Sequence, residues 1–249
     1  MSVVLPLAAA SSRVIASAKG GLVLYELSAK GDRRFSPFCW KARMALAHKE
    51  LTPECIPVGF TDKETIAFSG QDRVPVLVDH GETISDSWDI ACHLENKYPN
   101  SPTLFGGEAG RSLTRFVDLW ATRTMFPHLV RLVLCDVLDH LDEQDAVYVR
   151  RTREKQLGVT FEQLRAERDT HREAFTESLG PMRSQLRREP YLAGSNPGYA
   201  DYAVFGSFQW ARMISPYRVL ERDDPVHGWR GRMLDLFDGL AARAPGYPI

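Results

Sequence analysis

The alternation of apolar and polar positions divides the chain into three stretches. Residues 1–21, MSVVLPLAAASSRVIASAKGG, are rich in Ala and Ser and contain no acid. The bases Arg13 and Lys19 follow the apolar part instead of preceding it, so the segment reads as a flexible tail and not as a cleaved secretory leader. Residues 22–27, LVLYEL, predict a buried strand, and the polar, glycine-containing residues 28–35 a loop. From 37 to 49 the apolar positions Phe38, Ala42, Ala45 and Leu46 recur at i, i+4, i+7 and i+8, which is one face of a helix. Residues 53–57 read as a short second strand, whereas 58–73 follow no single period. The run VPVLVDHGETISDSW predicts a hairpin, 76–79 and 82–85 about a His80-Gly81 turn. A helix over 87–98 follows, with Ile90, Ala91, Leu94 and Tyr98 on one face and Asp86 or Ser87 as its cap.

This order is strand, helix, strand, irregular segment, hairpin, helix. It predicts a small mixed sheet with covering helices, a thioredoxin-like layout. KYPNSPTLFGGEAG then concentrates Pro, Gly and Asn and reads as a linker. Beyond it no strand pattern appears. Helical patterns cover 111–141, 148–157, 161–179, 199–213 and 229–243, with Gly180-Pro181 as an interruption. The expected architecture is therefore α+β with two domains: a tail over 1–21, a sheet domain over 22–105 and an all-α domain over 106–249.

Composition narrows the function classes. The 249 residues are 44 % hydrophobic and 25 % charged, with 31 basic and 32 acidic side chains for a formal charge of −1. No net basic field favours nucleic acid or anionic lipid, and no apolar run approaches the ~20 residues of a membrane helix. The cysteines at 39, 55, 92 and 135 form neither a CxxC pair nor a zinc-like spacing with histidine, so reduced thiols and a cytoplasmic setting are expected. Asp136, Asp139, Asp142, Glu143 and Asp145 cluster near His140, but their spacing matches no calcium loop. They read as a solvated helix end, the basic run 150–155 as a helix surface, and no metal is expected.

The candidate chemistry sits in SPFCWK, residues 36–41. Ser36 followed by Pro37 is an ordinary helix start. A hydroxyl at a helix N-terminus can also donate to a bound anion, a thiolate included. Cys39, one turn on, completes a CxxC motif that lacks its leading cysteine; it reads either as a small core residue or as a redox thiol.

Ser36-Pro37-Phe38, Arg73-Val74-Pro75-Val76-Leu77, Asp86-Ser87 and Asn196-Pro197-Gly198-Tyr199-Ala200-Asp201 occur in an order and spacing that resemble the cytosolic glutathione transferases. The runs SPFCWKARMALAHK, RVPVLVDHGETISDSWDIACHLENKYP, NPGYADY and DLFDGL resemble, more narrowly, the bacterial glutathione-dependent β-etherases that cleave lignin aryl ethers, in a serine-bearing branch shared with a fungal transferase class.

That resemblance implies a cis Val74-Pro75 bond whose Val74 backbone pairs with the cysteinyl part of glutathione as an added strand would. It implies that Ser87, with Asp86, receives the γ-glutamyl end, and that Lys63 or Arg73 meets the glycyl carboxylate. Ser36 is then the catalytic residue, donating to the glutathione sulfur. Lowering a thiol pKa by two units requires about 2.7 kcal/mol. One hydrogen bond to a charged group supplies about 1.5–3 kcal/mol, and the helix terminus adds about 0.3–1. Phe38, Trp120, Met125 and Phe126 are the expected acceptor pocket, with core packing the equal alternative for the last three. Asp201 is the buried acid of a capping box at the helix over 199–213, left incomplete by Gly198. The expected enzyme is a homodimer that takes glutathione as co-substrate and an aromatic electrophile as acceptor. A transferase for other electrophiles, a non-catalytic ligand-binding protein and a thiol reductase are the alternatives.

Overall fold

The computed structural model describes residues 21–249; the tail expected over 1–21 lies outside the described residues except for Gly21. Four strands form one sheet in the order β2-β1-β3-β4: β1 Leu22–Leu27, β2 Glu54–Val58, β3 Val76–Asp79 and β4 Glu82–Ser85. β1 and β2 are parallel, and β3 runs antiparallel to both β1 and β4. The crossover between β1 and β2 is α1, Pro37–His48, while α2, Ser87–Lys97, follows the hairpin. The mixed sheet expected from the sequence is the one observed.

β1 and β3 are buried along almost their whole length, because helices cover one face and a second apolar cluster of Val23, Tyr25, Val58, Ile66, Val76 and Val78 fills the other. Asp79, fully buried, ties the sheet to α2. It accepts from Tyr98 Oη at 2.9 Å and pairs with His93 at 2.7 Å and Lys97 Nζ at 3.1 Å, while His80 approaches at 2.7 Å.

After Lys97 the described residues contain helices and no strand. The first helical run is α3, Glu108–Trp120, continued without a break through a π-helical turn, Ala121–Met125, into α4, Phe126–Val133. Then come α5 Glu143–Leu157, α6 Phe161–Ala166, α7 Arg172–Ser178, α8 Gly180–Leu186, α9 Tyr199–Ile214 and α10 Pro225–Gly239. The single pattern expected over 161–179 is split, with a 3-10 turn at Arg168–His171. Gly180-Pro181 starts a helix, as proline in a first turn can, and does not interrupt one. The last helix begins at Pro225, capped by Asp224, and breaks at Phe237 and Asp238, both at φ 55°.

α9 is the axis of this half, buried at every position but Arg212. Its cap explains the missing hydroxyl at Gly198. A Cβ there would come within 2.9 Å of Ala193 Cβ and 3.1 Å of Leu104 O. The Asp201 carboxylate accepts from Gly198 N, Leu192 N, Ala193 N and Trp229 Nε1 at 2.7–3.1 Å, and Asp201 N–H returns to the Gly198 carbonyl at 3.0 Å. Burial raises the Asp201 pKa, opposed by those donors. The residue is structural, as the sequence led one to expect.

Two members of the acidic cluster read as solvated are buried. Asp136 pairs with Arg168 at 2.7 Å, and Asp145 accepts from Phe60 N, Thr61 N and Thr61 Oγ1 at 2.8–3.0 Å. The reason is long-range: each carboxylate closes a contact between elements distant in sequence, which local pattern does not reveal. No group of three metal-ligating side chains occurs among the described residues, and no helix there is long and apolar enough to cross a membrane.

Candidate functional site

The sheet register gathers the expected motifs at one end. β1 ends at Leu27 opposite Val58 of β2, and Tyr25 of β1 faces Val76, the first residue of β3. Val76 in turn faces Ser85, the last residue of β4. The segments leaving this end are therefore the β1–α1 loop with Ser36, the loop after β2 with Lys63, the Arg73-Val74-Pro75 approach to β3, and Asp86-Ser87. The Val74–Pro75 bond is cis, and Val74 makes no backbone hydrogen bond among the described residues.

A cleft of about 570 Å³ opens between this sheet end and the helices α4, α5 and α9. Ser36, Phe38, Lys63, Arg73, Val74 and Phe126 of the expected site all line it. Ser36 is the N-cap of α1 and only 5 % exposed. Its oxygen accepts from Cys39 N–H at 3.3 Å, which uses a lone pair and leaves the hydroxyl proton available to an acceptor. Both readings of the serine are thus compatible: it caps the helix and it faces the cleft.

Cys39 is a core residue, 1 % exposed. Burial pushes its thiol up to about 12, the Glu26 charge adding to the shift while Ser36 and the Leu27 backbone oppose it. A thiol so placed is protonated at neutral pH and a poor nucleophile. All four cysteines are free.

Lys63 Nζ donates to the Asp72 carbonyl at 2.5 Å and stands 5.9 Å from the Tyr148 ring. Arg73 is 89 % exposed on its side chain, with only a loose 3.7 Å pair to Asp72, so its guanidinium is available. Asp86 caps α2, accepting from Trp88 N at 2.8 Å from a positive-φ backbone (φ 76°). Ser87 is buried, and its carbonyl accepts from Tyr199 Oη at 2.7 Å. Neither Asp86 nor Ser87 is among the residues lining the cleft; the register alone puts them at its end of the sheet.

Of the four residues expected in an acceptor pocket, two line the cleft and two do not. Phe38 and Phe126 line the cleft, their ring centroids 6.3 Å apart, edge to face. Met125 is fully buried in the core, and Trp120 packs partly buried against that core; neither lines the cleft. The cause is helical phase. After the π-helical turn, Phe126, Val130, Leu134 and Val137 face the cleft at i, i+4, i+8 and i+11, while Met125, Leu129, Leu132 and Val133 face inward. A third aromatic went unseen in the sequence: Trp210 of α9, 5.1 Å from Phe126, lines the cleft from what reads as a pure core helix.

The basic run over 150–155 also divides. Arg150 lies on the surface, paired with Glu154 and Glu162 at 3.0 and 2.8 Å. Arg153 instead turns into the cleft with Tyr148 and Gln156, half-buried, so the expectation of a uniform helix surface fails there. Spacings of 148, 149, 153, 156 and 157 mark the cleft-facing stripe of α5 and were the available signal.

Buried contacts hold the two walls together. Lys41 of α1 pairs with Asp118 of α3 at 2.7 Å and donates to Thr122 in the π-helical turn at 3.2 Å. Asp145 of α5 fixes the Phe60-Thr61 loop, two residues before Lys63. Gly206 of α9 lies so near the Pro37 carbonyl that a Cβ would come within 2.2 Å of it.

Comparison with known proteins adds the following. A glutathione S-transferase C-terminal domain model matches residues 112–238 and an N-terminal domain model residues 35–97. The glutathione S-transferase-like protein ustS of Aspergillus flavus is 29 % identical over 142 residues, 51 % of this chain and 49 % of that one, so this chain spans about half the length of that relative. Glutathione S-transferase U22 of Arabidopsis thaliana is 22 % identical over 180 residues, covering 70 % and 69 %. Among solved structures, glutathione transferase GSTFuA3 of Phanerochaete chrysosporium superposes with TM-score 0.71 at 24 % identity, over 90 % of this chain and 94 % of that one. A glutathione S-transferase of Ceriporiopsis subvermispora, solved in complex with glutathione, gives TM-score 0.74 at 23 % identity, over 88 % and 97 %.

Proposed function

The chain belongs to the glutathione S-transferase family, and from that premise we propose that it binds glutathione in this cleft and uses the thiolate to cleave β-aryl ethers of α-aryloxy ketones. One observation carries the reading: the Ser36 hydroxyl, spared its proton by the contact with Cys39 N–H, faces a cleft that Val74, Lys63 and Arg73 also line. Val74, whose backbone has no partner among the described residues, offers the cysteinyl part an N–H and a C=O. Asp86 and Ser87 take the γ-glutamyl end; Lys63 or Arg73 takes the glycyl carboxylate.

The chemistry needs no further proton donor. The Ser36 hydroxyl stabilises the thiolate by one charged hydrogen bond. The sulfur attacks the carbon beside the ketone, a C–S bond forms, and the C–O bond to the aryl group breaks with its electron pair on oxygen. The aryloxide then takes a proton from water. Phe38, Phe126 and Trp210 supply faces and edges to hold the aromatic rings in line for attack.

The protein acts in the cytoplasm, to which four unpaired cysteines are suited, and as a homodimer. Leu113 and Phe116, one turn apart on α3, are 69 % and 71 % exposed and support an interface on that face.

The test is incubation of the purified protein with glutathione and an α-aryloxy ketone. Equimolar phenol and glutathione thioether are expected. Turnover of other aryl electrophiles with no phenol released from any such ketone would reduce the proposal to a general transferase; calorimetry without glutathione uptake would end it.

A further inference from the structure

Arg153 is the cleft residue that the glutathione contacts leave unused. It projects from α5 into the same cavity as Phe126, Trp210, Tyr148 and Gln156. It has no ion pair and no side-chain hydrogen bond among the described residues. Glu154 and Glu162 of the same helical region are engaged by Arg150 one turn earlier, and Asp72, an acid of the cleft lining, lies beside Arg73. Burial lowers the Arg153 pKa; the Tyr148 hydroxyl opposes the shift and the Arg73 charge adds to it. A half-buried guanidinium with no ion pair of its own, feeling the charge of Arg73 while the cleft's acid, Asp72, lies loosely beside Arg73 at 3.7 Å, costs free energy that a ligand anion would recover.

We propose that Arg153 determines acceptor specificity by receiving a carboxylate on the electrophile whose aromatic part rests against Phe38, Phe126 and Trp210. The proposal depends on the glutathione reading above and extends it to the acceptor. Two features favour the acceptor over the tripeptide as the source of that carboxylate. The residues assigned to glutathione all leave the sheet end, where Lys63 and Arg73 already provide cations for the glycyl group. Arg153 shares the helical wall with the aromatic residues. The planar fork of an arginine binds a carboxylate through two parallel N–H bonds, and Gln156 beside it can add a third donor.

Equilibrium binding tests this without relying on turnover. Two stable glutathione thioethers serve as probes, S-(para-carboxybenzyl)glutathione and its methyl ester, with glutathione as reference. Titration calorimetry is run on the wild type, Arg153→Met and Arg153→Lys. The wild type is expected to bind the acid at least about tenfold more tightly than the ester, as one charged hydrogen-bonded contact provides. Arg153→Met should bring the ratio to about 1, and Arg153→Lys should keep part of it, because a point charge replaces the fork. Equal affinity of the wild type for acid and ester would overturn the inference while leaving the glutathione reading intact. So would an Arg153→Met protein that loses affinity for both thioethers and for glutathione itself by the same factor, since Arg153 would then serve the tripeptide. Folded wild type that binds none of the three ligands would remove the glutathione reading and this inference with it.

Discussion

At Ser36 one oxygen caps a helix and, in the function proposed above, also donates to the bound sulfur, and the two roles can be separated by experiment. Ser36→Ala removes the N-cap acceptor for Cys39 N–H, costing about 1 kcal/mol of stability. It also removes the donor to the bound sulfur. Losing about 1.5–3 kcal/mol of thiolate stabilisation raises the bound thiol pKa by about 1–2 units. We therefore expect kcat/KM near neutral pH to fall about 10- to 100-fold. The rate should recover toward the wild-type value as pH rises past the new thiol pKa, because only the ionised fraction has been lost. Ultraviolet titration of the bound thiolate gives the shift directly; an alanine variant with unaltered thiolate absorbance across pH would exclude this role for the hydroxyl. Cys39→Ser, by contrast, is expected to cost packing free energy and to leave the shape of the pH profile unchanged, since a thiol held near 12 contributes no thiolate.

Between elements, the residues of the proposed site depend on contacts that lie outside every motif. Gly206 of α9 permits α1 to approach at the Pro37 carbonyl, one residue from Ser36. Gly206→Ala must push that carbonyl away, so we expect lower activity together with a lower melting temperature, the loss in kcat exceeding that of an unobstructed Gly→Ala change such as Gly231→Ala, where nothing lies within 4 Å. Asp79 is the corresponding link between β3 and α2. Desolvation raises its pKa, but hydrogen bonds from His80, His93, Lys97 and Tyr98 outweigh it and hold the carboxyl well below its usual 3.8. A depressed folded-state pKa means that the stabilisation is complete above the unfolded value near 3.8 and is lost as pH falls below it. Asp79→Asn should cost about 1.5–3 kcal/mol at pH 7. The gap between variant and wild-type melting temperatures should close as pH is taken from 5 toward 3, and a gap independent of pH over that range would contradict the assignment.

These cases also mark what the sequence reveals. The succession of elements along the sheet domain, the hairpin and α1 follow from apolar periodicity and turn residues, because those signals are local. The cleft position of Ser36, Phe38 and Val74 was likewise legible, since each belongs to a motif at an element end, whereas Phe126 could not be told from its neighbours Trp120 and Met125 without the helical phase. Trp210 and Arg153 were not, because a residue that faces a cavity between packed helices has the same local pattern as one facing core or solvent. The burial of Asp136 and Asp145 was hidden for the same reason: their partners, Arg168 and the Phe60-Thr61 loop, are tens of residues away.

For the whole molecule, α3 carries an apolar edge that the core of its own chain does not cover. Its positions Leu113, Phe116, Val117 and Trp120 follow i, i+3, i+4 and i+7, an apolar stripe, yet only Val117 and Trp120 pack partly against the core. Leu113 and Phe116 stay in solvent, and Phe68, 51 % exposed beside Tyr25, adds a further apolar projection from the sheet half. Adjacent exposed side chains of this size on a rigid helix are what a twofold interface would bury. If the proposed homodimer forms through this face, Leu113→Asp with Phe116→Asp places two charges against their own copies across the axis, where desolvation and like-charge repulsion act together. Light scattering should then report one 28.1 kDa chain for the double variant and two for the wild type, with far-ultraviolet circular dichroism unchanged. A double variant that still sediments as the wild-type assembly would move the interface off α3. Because Asp118 and Thr122 of this same helical run receive Lys41 of α1, a dimer that braces α3 would also brace the helix carrying Ser36. The monomeric variant should therefore keep its fold but show a raised KM for glutathione, and the two effects should appear at the same protein dilution in the wild type.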